Sequence, residues 1–167
     1  LTTASHESRP WLFAFGHRPM YTITASDRNG RIHDDFLLGI DKPASFQEAF
    51  EPLFKKFNVD LYMCGHVHGY ERQFPVFQDI PERPENPAEF KDPNSTIYVI
   101  NGAGGNDEGF SKGTPNYYVP WNVFNEFSQW GYGILEISQQ SYKWEFFNTS
   151  KVAIDSFTVR KTLKFNQ

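Results

Sequence analysis

Gly65-His66-Val67-His68-Gly69-Tyr70-Glu71-Arg72 follows directly on an apolar run, Val59-Asp60-Leu61-Tyr62-Met63-Cys64. Two imidazoles thus stand two residues apart, between glycines, at the end of a predicted strand. Another histidine ends a second apolar run, Trp11-Leu12-Phe13-Ala14-Phe15-Gly16-His17. Neutral imidazole is a common transition-metal ligand. Open α/β sheets place ligands beyond the carboxyl ends of their strands. In an extended segment residues i and i+2 point the same way, so His66 and His68 are expected to face one cavity. Gly65 and Gly69 remove Cβ crowding there. The alternative is three ordinary loop histidines, the usual reading of a lone one. The paired spacing at a strand end favours metal.

The elements that would carry these residues can be read from pattern. Residues 11–15 predict a buried strand ending at Gly16, and 19–44 a long loop rich in breakers. Ser45 reads as a helix N-cap, with Glu48 completing a capping box. Phe46, Phe50, Leu53, Phe54 and Phe57 recur at helical spacing and make one apolar face. The helix should stop near Asn58, and Pro52 weakens or kinks it. A strand at 59–64 completes an αβ unit. A loop fills 79–95, and a strand at 96–100 enters Asn101-Gly102-Ala103-Gly104-Gly105. After an irregular stretch, 132–137 and 142–147 predict a hairpin, and 153–161 a last strand. The later strands read as antiparallel, and 11–64 as half of a layered α/β domain. No second domain boundary is visible.

Composition bounds the function classes. The 167 residues suffice for one domain with a core; 17% are aromatic, which argues against disorder. The net charge is −4 and no Lys/Arg run exceeds two residues, so nucleic acid is not an expected partner. No apolar stretch approaches the roughly 20 residues of a spanning helix, so no membrane is expected either. The chain opens on Leu1 with no signal peptide, which reads as a mature or clipped product. Cys64 cannot form an internal disulfide and reads as a buried thiol. Asn94-Ser95-Thr96 and Asn148-Thr149-Ser150 are glycosylation acceptor triplets near strand ends. They point to secretion or a secretory compartment.

Gly65 to Arg72 resembles the Gly-His-x-His motif of calcineurin-like metallophosphoesterases, in the form used by purple acid phosphatases. Phe15-Gly16-His17-Arg18-Pro19-Met20-Tyr21 resembles that family's preceding histidine motif. Ile100 to Gly105, Gly131 to Glu136 and Asp155 to Val159 resemble its later strands, in order. The resemblance implies an α/β fold: a layered metallophosphoesterase-type β-sandwich flanked by helices, of which residues 1–167 form the C-terminal part of one catalytic domain. It implies an acid phosphatase acting on phosphate monoesters at two metals, Fe(III) and a divalent ion (Zn, Fe or Mn). His17 and His66 would bind the divalent metal and His68 the ferric ion. A metal-bound hydroxide would attack phosphorus in line, and ferric iron would make that hydroxide available at acid pH.

The sequence also departs from the family. The Gly-Asp-x-Gly, Gly-Asp-x-x-Tyr and Gly-Asn-His-Glu motifs, which supply the Asp, Tyr and Asn ligands, do not occur here. Three histidines cannot complete two coordination spheres. The resemblance therefore implies an upstream part of the same domain as partner. Plant relatives carry a histidine pair shortly after the first histidine motif; here that stretch is Ile23 to Asn29. His33 lies beyond it and is either a general acid reaching in or a solvated loop residue. His6 reads as exposed terminus. Glu71 and Arg72 read either as a pair orienting the histidine loop or as a structural salt bridge. Arg18 has a phosphate-holding reading and a loop-fixing one. Trp121, Trp130, Tyr117 and Tyr118 read as core before substrate rim. Asn101 to Gly105 lacks a following Lys-Ser/Thr and is no nucleotide loop. The rivals are a non-catalytic binding protein on the same scaffold and a phosphodiesterase or pyrophosphatase of the superfamily.

Overall fold

The computed structural model describes residues 10–24, 44–111 and 119–162. Strand β1 (Phe13–Phe15) leads to helix α1 (Ala44–Lys56), then β2 (Leu61–Cys64) and β3 (Tyr70–Gln73). Short strands β4 (Val76–Phe77), β5 (Ile80–Pro81) and β6 (Glu89–Lys91) precede β7 (Ile97–Asn101). Then come β8 (Asn122–Glu126), β9 (Gly131–Ile137), β10 (Ser141–Asn148) and β11 (Ala153–Arg160).

Two sheets form the body. The first runs β1-β2-β7-β3-β8 and the second β6-β11-β10-β9. In the first, β1, β2 and β7 are parallel and β3 and β8 antiparallel to their neighbours. The predicted hairpin is β9–β10, extended by antiparallel β11. β6 lies parallel to β11, inside a stretch that reads as loop from sequence.

Alternation along β2 and β7 explains why both faces of the first sheet are covered. Leu61, Ile97 and Val99 face the second sheet and pack with Tyr142, Trp144, Phe146, Phe157 and Val159. Tyr62, Cys64, Tyr98 and Ile100 face the other way, toward Phe54 of α1 and the segment Met20–Ile23. The result is helix, sheet, sheet. Cys64 is buried, as expected, and burial pushes its thiol pKa up.

α1 stops as its sequence predicts. Asn58 takes a positive φ of 50°, Asn58 N–H bonds to Lys55 O and Val59 N–H to Phe54 O. That pattern closes a helix with a left-handed residue. The start differs: α1 begins at Ala44, so Ser45 lies within it and not before it. Pro52 sits inside α1, which continues through it. The apolar stripe is only partly used: Phe54 is buried, but Phe50 is 43% and Leu53 40% exposed.

Strands β3 and β8 have no counterpart in the sequence reading. Tyr70-Glu71-Arg72-Gln73 is one aromatic residue followed by three polar ones, yet all four are buried. Tyr70 and Arg72 point between the sheets. Arg72 makes a two-pronged ion pair with Asp155 of β11: Nε to Oδ2 at 2.7 Å and Nη2 to Oδ1 at 2.8 Å. Tyr70 donates to the same Oδ2 at 2.7 Å, and Trp144 Nε1 donates to Tyr70 at 3.0 Å. Glu71 points to the opposite face. Glu71 and Arg72 are therefore not partners of one another; each ties β3 to a different layer.

Candidate metal-binding site

His17 follows β1 and the Gly65–Gly69 loop follows β2. Because β1 and β2 are parallel neighbours, both segments leave the sheet at one end. Gly16 N–H bonds to Met63 O at 3.0 Å and Gly65 N–H to His17 O at 3.2 Å, carrying the pairing past the strand ends. Tyr62 OH donates to Arg18 O at 2.7 Å and holds the chain just after His17. Further on, Tyr21 OH donates to Glu51 of α1.

Glu71 completes this anchoring from below. It accepts from Thr22 Oγ1 at 2.6 Å, from Ile23 N–H at 3.0 Å and from Gln73 Nε2 at 2.9 Å. It is fully buried, and this burial raises its pKa to about 7 against those hydrogen bonds.

The geometry brings His17 and His66 together. His17 Nε2 and His66 Nδ1 are 3.2 Å apart, with ring planes at 76°. Two imidazole nitrogens bound to one ion at about 2.1 Å stand roughly 3–3.4 Å apart. The pair thus has the separation of two ligands on a common metal.

The path of the loop differs from the extended one expected. His66 has φ of +67°, and Val67 N–H to Gly65 O and Gly69 N–H to Val67 O are both i→i+2 bonds. The chain coils here, so the same-face rule for i and i+2 does not govern His66 and His68. His66 turns to His17. His68 turns to another loop: its Nδ1 lies 3.2 Å from Gly109 O and 3.6 Å from the exposed Glu108 carboxylate.

Gly102 sets the height of the coil. A Cβ at this position would lie 1.9 Å from Val67 O, and Gly102 N–H bonds to Gly69 O at 3.0 Å. The glycine-rich stretch after β7 therefore supports the histidine loop and is not a phosphate cradle.

Among the described residues no three His, Cys, Asp or Glu side chains gather as a metal site. The donors present fit part of one: a matched imidazole pair plus a third histidine on the same loop. His33, His6, Tyr117 and Tyr118 lie outside the described residues. Trp121 is core, and Trp130 stacks on Phe110. Asn94 is exposed, whereas Asn148 is half-buried. Asn148 Nδ2 donates to Gln129 at 2.8 Å and its Oδ1 accepts from Val152 N–H at 3.0 Å.

The two-sheet layered fold, with a histidine pair at the ends of parallel strands, makes this a protein of the layered α/β class with a partial metal site, and comparison with known proteins narrows it. Residues 95–156 match the family model "Iron/zinc purple acid phosphatase-like protein C". Phosphoenolpyruvate phosphatase of Allium cepa is 31% identical over 86% of this chain and 28% of its own length. Probable inactive purple acid phosphatase 1 of Arabidopsis thaliana is 29% identical, over 96% of this chain and 25% of its length. A purple acid phosphatase from yellow lupin seeds superposes with a TM-score of 0.74 at 24% identity, over 96% of this chain and 26% of its own.

What the chain carries is the C-terminal region of the purple acid phosphatase fold. It spans about a quarter of the length of these relatives. That family implies a binuclear centre containing iron. The residues matched by the family model lie downstream of His17, His66 and His68.

Proposed function

We propose that the protein containing this chain is an acid phosphatase hydrolysing phosphate monoesters at a pair of metal ions, Fe(III) and a divalent Zn, Fe or Mn. The observation that carries this reading is the 3.2 Å approach of His17 Nε2 to His66 Nδ1, with His68 two residues further on the same loop. His17 and His66 would hold the divalent ion and His68 the ferric one. The Asp, Tyr and Asn ligands would come from an upstream part of the same domain. When bound, the metals supply a nucleophile and spread the charge that develops on the phosphoryl oxygens. The chain's own residues orient: Tyr62 and Glu71 hold the His17 segment, and Gly102 supports the His66–His68 loop.

The test uses the full-length protein. His68→Ala should release iron and lower kcat on p-nitrophenyl phosphate on the order of a hundredfold or more, the cost of losing one electrostatic catalytic group. His33→Ala should cost less and keep both metals. An equal loss with metals retained would make His33 the general acid. A second reading, a non-catalytic protein on this scaffold, is favoured by the relative named as probably inactive. Metal-replete full-length protein with no turnover of any phosphate ester would establish it.

We further propose secretion, with a glycan at Asn94. Asn94 is exposed, while the amide nitrogen a glycan would occupy on Asn148 is hydrogen-bonded to Gln129. Deglycosylation of protein from its native host should therefore remove mass from the peptide bearing Asn94. An unmodified Asn94 would count against the secretory route.

A further inference from the structure

His68 is gripped more closely than any pattern in its own motif requires. Its backbone N–H donates to Ser111 Oγ at 2.8 Å, and Ser111 N–H donates back to His68 O at 2.9 Å. The reciprocal pair fixes the His68 backbone across 43 residues of intervening sequence. The ring is held separately, its Nδ1 lying 3.2 Å from Gly109 O. A carbonyl can only accept, so this contact places the imidazole proton on Nδ1. Nε2 then carries the lone pair.

The gripping segment is itself anchored. Gly109 has φ of +79°, a left-handed turn that an L side chain rarely adopts. Phe110, between the two gripping residues, stacks on Trp130 with centroids 3.8 Å apart and planes at 23°. Trp130 stands just before β9, where Thr149 N–H bonds to Trp130 O at 3.1 Å and Gly131 N–H to Ala103 O at 2.8 Å. The second sheet thus reaches the histidine loop through one aromatic pair.

We propose that Gly109–Ser111 is a positioning clamp for His68: Ser111 fixes its backbone, and the Gly109 carbonyl sets its tautomer and leaves Nε2 to bind a metal ion. This rests on the metal-site reading above. His66, two residues away, presents its other nitrogen, Nδ1, toward His17. The two histidines of one short loop thus offer opposite ring nitrogens, Nδ1 from His66 and Nε2 from His68. Neighbours that orient a ligating histidine typically account for about 10–100-fold in metal affinity.

The test is zinc binding to metal-stripped full-length protein by equilibrium dialysis, with Zn²⁺ alone as probe. Wild type should take up two equivalents. Ser111→Ala should weaken one of them by about 10–100-fold and leave the other within about threefold. Ser111→Thr, which keeps the hydroxyl, should restore the lost affinity. Should Ser111→Ala fail to fold, Phe110→Leu, which removes the stack on Trp130, should show the same one-site loss. A merely structural role would lower the unfolding midpoint of the stripped protein and leave the affinity ratio of the two sites unchanged. Unchanged binding of both equivalents, or equal weakening of both, would overturn the clamp. Wild type that takes up no zinc would overturn the metal-site reading itself, and the clamp with it.

Discussion

Asp155→Ala is expected to destabilise the protein by about 3–5 kcal/mol, the range for breaking one partner out of a buried ion pair. The Arg72 and Asp155 side chains are 4% and 6% exposed. Removing the carboxylate leaves a guanidinium between the sheets with the carbonyl of Pro87, 2.7 Å from Nη1, as its remaining hydrogen-bond acceptor. The guanidinium also lies 5.2 Å over the Phe157 ring, a contact too weak to replace a carboxylate. Tyr70 OH loses its acceptor at the same stroke. Urea unfolding of the full-length protein checks this through its midpoint. Asp155→Asn, which keeps one acceptor oxygen, should cost less than the alanine. A shift below about 1 kcal/mol for Asp155→Ala would show that apolar packing alone holds the sheets together.

The second large effect is a pH dependence. The Glu71 carboxyl has a pKa of about 7 in the folded protein, against 4.5 for an ordinary glutamate. Its folded pKa is raised, so the stabilisation is complete below about pH 4.5 and is lost as pH rises through about 7. A shift of this size corresponds to about 3 kcal/mol. Wild type should therefore lose stability between pH 4.5 and 7, and Glu71→Gln should flatten that part of the profile. The buried Cys64 thiol also faces Glu71 and raises no charge of its own in this window. Glu51, raised by burial as well, tilts the profile in the same sense. The difference between variant and wild type isolates Glu71. Parallel profiles for the two proteins would show that Glu71 keeps one charge state throughout.

Much of this arrangement was legible in the sequence, and the rest was hidden for identifiable reasons. The apolar-rich runs at 59–64, 96–100, 132–137 and 142–147 correspond to β2, β7 and the β9–β10 hairpin. Asn58 marked the end of α1. β3 was hidden because Tyr-Glu-Arg-Gln reads as polar, and its charges are buried only because Asp155 and Thr22 answer them across the chain. β8 (Asn-Val-Phe-Asn-Glu) is likewise an ordinary loop composition until paired with β3. The approach of His17 and His66 followed from their placement at strand ends. The path of Gly65–Gly69 did not, since a histidine with positive φ leaves no trace in residue type. The Gly109–Ser111 grip on His68 was equally invisible, because hydrogen bonds to a carbonyl depend on where a loop returns.

Gly102 has a consequence for how variation in this protein should be read. Its hydrogen faces a backbone carbonyl, so any side chain there would lift Val67 and move both histidines with it. Substitutions at 102 would then look, in any screen scored by turnover, like damage to a catalytic residue, although nothing at 102 has chemistry to lose. The reverse also holds. The histidine loop can drift during evolution only in shapes that still clear that spot, which binds two stretches of chain 35 residues apart into one unit of inheritance.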